Sequence, residues 1–361
     1  MKKLSLLIIS NLIITAAFGQ SAGQHYQSGV QKLYQEQNYR EALVHFSRAI
    51  ESDPNFYAAY TNRGKVKYAL RDYMGALADY DRAVELRPSS FDVYVARADF
   101  KRDIKKYYEA YTDYSKAIEL NPSCIEAYYK RGNVASMLND YKKAFRDIST
   151  AMELNANDDK LYANRAQIRV GGFDASSPEG ISKIKLAIQD IDTAIMINHF
   201  GADHYNQRGN YYFDLNMIDK AIRDFNQAIT MDSTNGEFFN NRGLAKMQQE
   251  EYKSANTDFT RAIKISPDKE YYYRNRGLTR FNGGKYKSAI NDYSKAIELI
   301  EGVRNLPDDK SVKFKLTNAY LVRGLAYIAI KNGLEACRDF FKAAELGERR
   351  ANNYINRYCT K

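Results

Sequence analysis

Tyr60–Pro88 reads YTNRGKVKYALRDYMGALADYDRAVELRP, and thirty-four residues later Tyr94–Pro122 repeats the frame as YVARADFKRDIKKYYEAYTDYSKAIELNP. A third copy, YYKRGNVASMLNDYKKAFRDISTAMELN, starts at Tyr128; the frame returns at Tyr205, Phe239, Tyr273 and Tyr320 and extends back to Tyr26. A fixed period of this length marks an architecture of stacked copies of one small motif. The chain divides into nine repeats: Gly23–Phe56, Tyr57–Ser90, Phe91–Cys124, Ile125–Asp158, Asp159–Gly201, Ala202–Asn235, Gly236–Lys269, Glu270–Val303 and Thr317–Arg350. Eight have thirty-four residues, the fifth carries nine extra, and the thirteen residues Arg304–Leu316 separate the eighth from the ninth.

Each repeat holds two amphipathic helical stretches. Apolar or small residues recur at repeat positions 4, 8 and 11 in the first and at 20, 24, 27 and 28 in the second, which is one helical face each. The break falls near positions 14 to 16, at short polar or glycine residues such as Asn139-Asp140 and Gly283-Gly284. Pro54, Pro88, Pro122 and Pro267 follow the second stretch, where proline ends a helix without removing an internal hydrogen bond. Position 20 is Ala in all nine repeats, from Ala42 to Ala336, and position 27 is Ala from Ala49 to Ala343. Position 8 is Gly64, Gly132, Gly209, Gly243, Gly277 and Gly324 in six of them. Position 4 is always aromatic, and position 24 is aromatic or Ile. Small residues facing one another are expected to bring the two helices close while the large ones fill the remaining space. A single hairpin cannot bury both of its faces, so each repeat needs its neighbours.

This pattern resembles the tetratricopeptide repeat family over residues 23–350. The resemblance implies an all-α fold: a right-handed superhelical solenoid of nine helix-turn-helix repeats, with a concave groove lined by first helices and a role in binding protein or peptide. The departures are Val30 at position 8 of the first repeat and Gly333 at position 17 of the ninth, where the others carry Tyr or Ile.

One pairing goes beyond the generic pattern. Position 7 is Arg63, Arg97, Arg131, Arg165, Arg208, Arg242, Arg276 and Arg323; position 23 of the same eight repeats is Asp79, Asp113, Asp147, Asp190, Asp224, Asp258, Asp292 and Asp339. The first repeat lacks both, with Gly29 and His45. A hairpin folded near position 15 sets positions 7 and 23 at one level, so a structural Arg–Asp ladder is expected.

By analogy with the family, positions 2, 5, 6, 9 and 12 line the groove. They include Thr61, Lys65, Tyr68, Asp99, Arg102, Tyr129, Lys130 and Asn133, then Asn206, Asn210, Phe213, Asn240, Asn241, Arg274 and Asn275. Asn can bond both the donor and the acceptor of an extended peptide, and Tyr offers contact area at small entropic cost. The same residues would also suit a merely wet face. The clamp that some family members use for acidic C-terminal tails is not assembled by any three consecutive repeats: Asn206, Asn210 and Asn241 are followed by Tyr271 and Asn275.

The first residues stand apart. Met1-Lys2-Lys3 precedes a run, Leu4–Phe18, that is apolar except at Ser5, Ser10, Asn11 and Thr15, with Ala17 and Gly19 small. This is the layout of a cleavable secretory signal over 1–19, cut after Gly19, and it implies a periplasmic or secreted protein with no transmembrane segment after cleavage. The 361 residues carry 54 Lys and Arg against 44 Asp and Glu. With a signal present and the basic residues dispersed, nucleic acid is not the expected partner; the basic balance favours an anionic partner or surface, or equally is only a solvated surface.

Cys124, Cys337 and Cys359 fit no metal knuckle. The tail 351–361 reads as a capping helix through Tyr354, Ile355 and Tyr358. A turn near Gly347 brings Cys337 and Cys359 to similar levels, where an oxidising compartment would allow a disulfide. The segment Gly171–Gly180, GGFDASSPEG, reads as a turn-rich insertion that loops out of the fifth repeat. In Arg304–Leu316, Pro307 is a breaker and Asp308 or Asp309 a candidate cap for a lengthened first helix of the ninth repeat. His25, His45, His199 and His204 match no metal motif, and no phosphate loop or nucleophile elbow occurs. No cofactor and no catalysis are expected. The leading expectation is an envelope scaffold that holds a protein or peptide; the alternative is an accessory subunit that binds glycan or wall material.

Overall fold

A computed structural model describes residues 21–302 and 310–359. The expected signal segment, with its cleavage point, and the proposed Pro307 breaker and Asp308 or Asp309 cap lie outside the described residues. The described residues are helical with no strand. The chain divides between Gly172 and Phe173 into two compact units.

The first unit holds α1 (21–34), α2 (Tyr39–Ser52), α3 (Tyr57–Ala69), α4 (Tyr73–Leu86), α5 (Phe91–Asp103), α6 (Tyr107–Leu120), α7 (Ile125–Met137), α8 (Tyr141–Leu154) and α9 (Asp159–Val170). The second holds α10 (Pro178–Ile197), α11 (Ala202–Asp214), α12 (Ile218–Met231), α13 (Gly236–Gln248), α14 (Tyr252–Ile265), α15 (Glu270–Asn282), α16 (Tyr286–Glu301), α17 (Lys310–Ala329), α18 (Gly333–Glu345) and α19 (Arg349–Tyr358). Within each unit consecutive helices pack as hairpins, and each hairpin packs on the next.

The core follows the repeat positions. Ala42, Ala76, Ala110 and Ala144 at position 20 and Ala49, Ala83, Ala117 and Ala151 at position 27 are fully buried in the first unit. The position-8 glycines face the position-20 alanine, as expected, with a Cβ on Gly64 or Gly132 lying 3.3 Å from the carbonyl of Ala76 or Ala144, and they also receive the large side chain at position 24. A Cβ on Gly209 would lie 2.6 Å from Phe225, one on Gly243 2.9 Å from Phe259, and one on Gly324 2.6 Å from Phe340. The helices therefore interlock ring into notch. In the first repeat the notch moves one residue: Gly29 at position 7 receives Phe46 at 2.7 Å.

The hairpin turn closes at position 15, where φ is positive: Gln37 (52°), Arg71 (66°), Lys105 (63°), Asn139 (60°), Asn216 (57°), Glu250 (60°), Gly284 (73°) and Lys331 (63°). The backbone N–H at position 16 bonds the carbonyl at position 11, as in Asp72 to Lys67 (2.9 Å) and Lys285 to Arg280 (2.7 Å). That is the Schellman closure of a helix C-terminus. Glycine would suit position 15 best, and each other residue there stores about 1–2 kcal/mol. Short polar residues are thus not the rule at the turn, contrary to the expectation from Asn139-Asp140. The closing bonds and the packing of the second helix hold Arg, Lys and Glu in this conformation as well. Where position 16 is Asn38, Asp72, Asp140 or Asn332, its side chain caps the second helix.

The insertion in the fifth repeat is only partly a loop. Ser177 caps the backbone N–H of Gly180 and Pro178 opens α10, so α10 runs 20 residues against 14 for α12. Residues 178–180 lengthen a helix rather than looping out. Gly171 and Gly172 lie against the Tyr141 ring, and Gly172 has φ of 80°. In the ninth repeat α17 starts at Lys310 and also runs 20 residues. Its hairpin is followed by α19, whose Tyr354 stacks on Phe340 at 5.2 Å. Cys337 and Cys359 are joined as a disulfide, with Cα atoms 5.6 Å apart.

Candidate functional site

Seven of the Arg–Asp pairs lie inside a single unit, and in each the guanidinium grips the carboxylate at both oxygens. Nη2 to Oδ1 distances are 2.5–2.8 Å at Arg63–Asp79, Arg97–Asp113, Arg131–Asp147, Arg208–Asp224, Arg242–Asp258, Arg276–Asp292 and Arg323–Asp339. Arg165 belongs to the first unit and Asp190 to the second. Each position-7 guanidinium also sits over the position-4 ring one turn earlier, from Arg63 over Tyr60 to Arg323 over Tyr320, at 5.4–5.8 Å. Burial works against the charge of Arg63, Arg97, Arg131 and Arg323, but the bonds and charge of the Asp partner outweigh it and raise their pKa values.

The sequence reading placed these pairs within a repeat and missed their third contact. Nη1 of each of the seven arginines reaches back to position 25 of the preceding repeat: Arg63 to Ser47 (3.4 Å), Arg97 to Asp81 (2.8 Å), Arg131 to Ser115 (3.1 Å), Arg208 to Asp192 (2.6 Å), Arg242 to Asn226 (2.7 Å), Arg276 to Thr260 (3.2 Å) and Arg323 to Ser294 (2.8 Å). Each arginine thus ties its own second helix to the hairpin before it. The signal was present in the sequence. Position 25 is Ser, Thr, Asp or Asn in the first eight repeats and Phe341 in the ninth, which no position-7 arginine follows. Each of these seven arginines is thus engaged within the fold by its Asp, by the position-4 ring and by position 25 of the preceding repeat.

In the first unit the expected groove residues are half-exposed and largely engaged with one another. Asp99 is the hub. It accepts from Tyr114 Oη (2.6 Å), Lys130 Nζ (2.6 Å) and Arg102 Nη1 (3.1 Å). Burial and then the charge of Asp99 push the Tyr114 phenol well above its ordinary value. Arg102 also bonds Asp103, and Lys130 pairs with Glu126. Asn164, at position 6, donates to Asn133. Thr61 is turned back to its own helix at Tyr57 (3.1 Å), and Lys65 reaches Tyr34 (3.3 Å). Tyr68 packs edge-on against Phe100, and Tyr129 packs on the Ile148 cluster, so both are partly core.

In the second unit the groove positions form an amide track across three first helices. Asn275 donates to Asn240 (2.8 Å), Asn240 to Asn241 (3.2 Å) and Asn241 to Asn206 (3.0 Å). Asn240 was expected on the groove wall; at 4% exposure it is instead the buried link of this track. Phe213 packs on the Phe225 cluster, and Arg274 is held by Glu270 (2.6 Å). Asn210 stays half-exposed. Tyr271 and Tyr272, which sequence reasoning had not joined to any partner, both donate to Glu237. Burial first and Glu237 second raise the Tyr271 phenol to about 12. Among the described residues no group of three His, Cys, Asp or Glu is placed to hold a metal ion, and no helix is long and apolar enough to cross a membrane.

Successive antiparallel helix pairs, locked by alanines, ring-into-notch contacts and a repeating arginine tie, define a helical-hairpin repeat protein. Models of the tetratricopeptide repeat match residues 30–91, 202–235 and 240–309, and a TPR repeat model matches 101–139. The chain belongs to the tetratricopeptide repeat family. A tetratricopeptide repeat protein of Parabacteroides merdae is similar in structure, with a TM-score of 0.58 and 21% identity over 72% of this chain and 99% of that one. The C-terminal part of a TPR repeat-containing protein of Cytophaga hutchinsonii gives 0.51 and 21% over 71% and 97%. The APC/C hetero-tetramer Cut9–Hcn1 gives 0.55 and 14% over 93% and 63%. At these identities the likeness is one of fold. No curated protein matches the sequence.

Proposed function

We propose that the protein is a non-enzymatic scaffold of the cell envelope that holds a protein or peptide segment against its first-helix faces. The observation that carries this reading is the pre-ordered polar surface at groove positions, above all the track Asn275–Asn240–Asn241–Asn206. An amide nitrogen carries two hydrogens and the track uses one of each. Asn206, Asn241 and Asn275, which stay half-exposed, are therefore fixed in place while they keep hydrogen-bonding capacity for an extended backbone. That lowers the ordering cost of binding. The envelope setting is supported by the signal-like start and by the Cys337–Cys359 disulfide, which belongs to an oxidising compartment.

The test is affinity capture from an envelope fraction with the wild-type chain and with Asn241→Ala/Asn275→Ala. A defined protein retained by the first and lost by the second supports the reading. Equal capture by both counts against the amide track. Sedimentation with purified wall material, and no protein captured, would replace this reading with the glycan-binding one.

A further inference from the structure

A cavity of about 450 Å³ within the second unit opens between the start of α14 and the turn that follows α15. None of its lining residues stands at a groove position. Its walls depart from the repeat's own pattern at three places. Position 14 is Leu70, Ile104, Leu138, Leu215 and Ile330 in five other repeats, but Gly283 here. Position 21 is apolar elsewhere, as at Leu43, Leu77, Ile222 and Ile290, but Asn256 here. Position 10, often Val, Ile or Phe, is Thr279, which is 1% exposed. The equivalent notch at Leu138 is smaller, about 280 Å³. The cavity is larger because side chains that narrow the notch in other repeats are missing.

Its inner polar group is a cation. Arg280 donates through Nε to Asn256 Oδ1 (2.8 Å) and through Nη1 to Asp292 Oδ2 (2.7 Å). Asp292 is also gripped by Arg276, so two guanidinium groups share one carboxylate. The exposed rim carries Lys253 and Lys285 beside Glu250 and Glu251, two charges of each sign, while inside two guanidinium groups face the single carboxylate of Asp292. Burial, opposed by Asp292, lowers the pKa of Arg280, whereas Arg63, Arg97 and Arg131 are raised. An anion placed on Arg280 would complete that balance.

We propose that this cavity binds a small organic carboxylate, its charge on Arg280 and its apolar body beside Tyr252 in the space that Gly283 leaves open. The site is independent of the first-helix faces. It is tested on the full chain by calorimetry and ligand-observed NMR with 3-phenylpropanoate and, as the uncharged control, 3-phenylpropanamide. The carboxylate is expected to bind saturably and at least about tenfold tighter than the amide. Gly283→Leu restores the residue other repeats carry at a position whose φ is −82°, open to any residue. It should fold as the wild type does by circular dichroism and weaken binding at least about tenfold. Asn256→Leu is a second filling variant with the same expected loss, and Arg280→Gln should erase the preference for the carboxylate. The proposal is overturned by no saturable binding up to about 10 mM, by equal binding of amide and carboxylate, or by unchanged binding in the folded filling variants.

Discussion

Arg131→Met should be among the most damaging single substitutions at position 7. Asp147 is 2% exposed in its side chain and takes both of its ionic hydrogen bonds from Arg131, at 2.8 and 2.7 Å. Position 11 of this repeat is Ala135. In other repeats position 11 supplies a second cation: Lys67 on Asp79, Lys101 on Asp113, Lys246 on Asp258 and Arg280 on Asp292. Removing Arg131 therefore leaves a buried carboxylate with no cation among the described residues, at a cost of about 3–5 kcal/mol. Arg97→Met deletes the same contacts but leaves Lys101 2.8 Å from Asp113, and its other partner, Asp81, is exposed enough to resolvate. Its cost should be about 1–2 kcal/mol, near that of a charged hydrogen bond. The lost stacking on Tyr94 or Tyr128 is common to both, while Arg131 alone also leaves the Tyr111 ring at 5.4 Å, which adds to its cost. Arg131→Met/Asp147→Leu removes the stranded charge and should recover most of the loss. Stacked repeats open in segments, so the measurement is hydrogen exchange of the α7 and α8 amides alongside urea unfolding. Equal costs for the two single variants within about 0.5 kcal/mol, or a double variant no more stable than Arg131→Met, would refute the assignment.

Three further expectations follow from the packing. Cys337→Ser/Cys359→Ser, or reduction, opens a loop with a sequence separation of 22 and should cost about 3 kcal/mol. The loss should show as faster exchange in α19, and unchanged α19 exchange would argue against any stabilising role. Gly209→Ala forces a Cβ to 2.6 Å from the buried Phe225 ring and should destabilise by about 1–2 kcal/mol even after the helix-propensity gain. Gly333→Ala, with nothing within 4 Å, should lie within about 0.5 kcal/mol of neutral in the same thermal melt. Burial raises the Tyr211 phenol to about 12, against 10 when exposed, so between those values the unfolded chain holds fewer protons and stability falls as pH rises. Tyr211→Phe should remove about 2–3 kcal/mol of that alkaline loss, read by circular dichroism against phenolate absorbance; an unchanged alkaline midpoint would count against it.

The fold was legible because its determinants are local and recur in all nine repeats: Ala at positions 20 and 27 and an aromatic at 4, on a thirty-four-residue period that eight of them keep. What was not legible depended on partners in another repeat. Position 25 mixes Ser, Asp, Asn and Thr, the composition of any wet helix face, and only Phe341 hinted at a contact. The turn at position 15 was obscured because Arg71, Lys105 and Glu250 adopt positive φ under the force of hairpin closure, against their own preference. Ser177-Pro178 is a legible helix start, yet the glycines around it made the whole insertion look like loop. At the groove, positions were readable but accessibility was not. Asn240 and Asn241 are neighbours in sequence, and only the approach of α15 decides that the first is enclosed.

The arginine tie gives the chain a direction. Every link has a donor on one hairpin and an acceptor on the hairpin before it, so an internal repeat carries both halves of the connection. A copy of such a repeat, inserted next to its parent by tandem duplication, would join its neighbours on both sides without a compensating change. A copy of the first repeat brings no donor, with Gly29 at position 7, and a copy of the ninth offers Phe341 in place of an acceptor. Growth of the array by copying is therefore open in the middle and closed at these two repeats, and the chemistry of a single side chain sets that grammar.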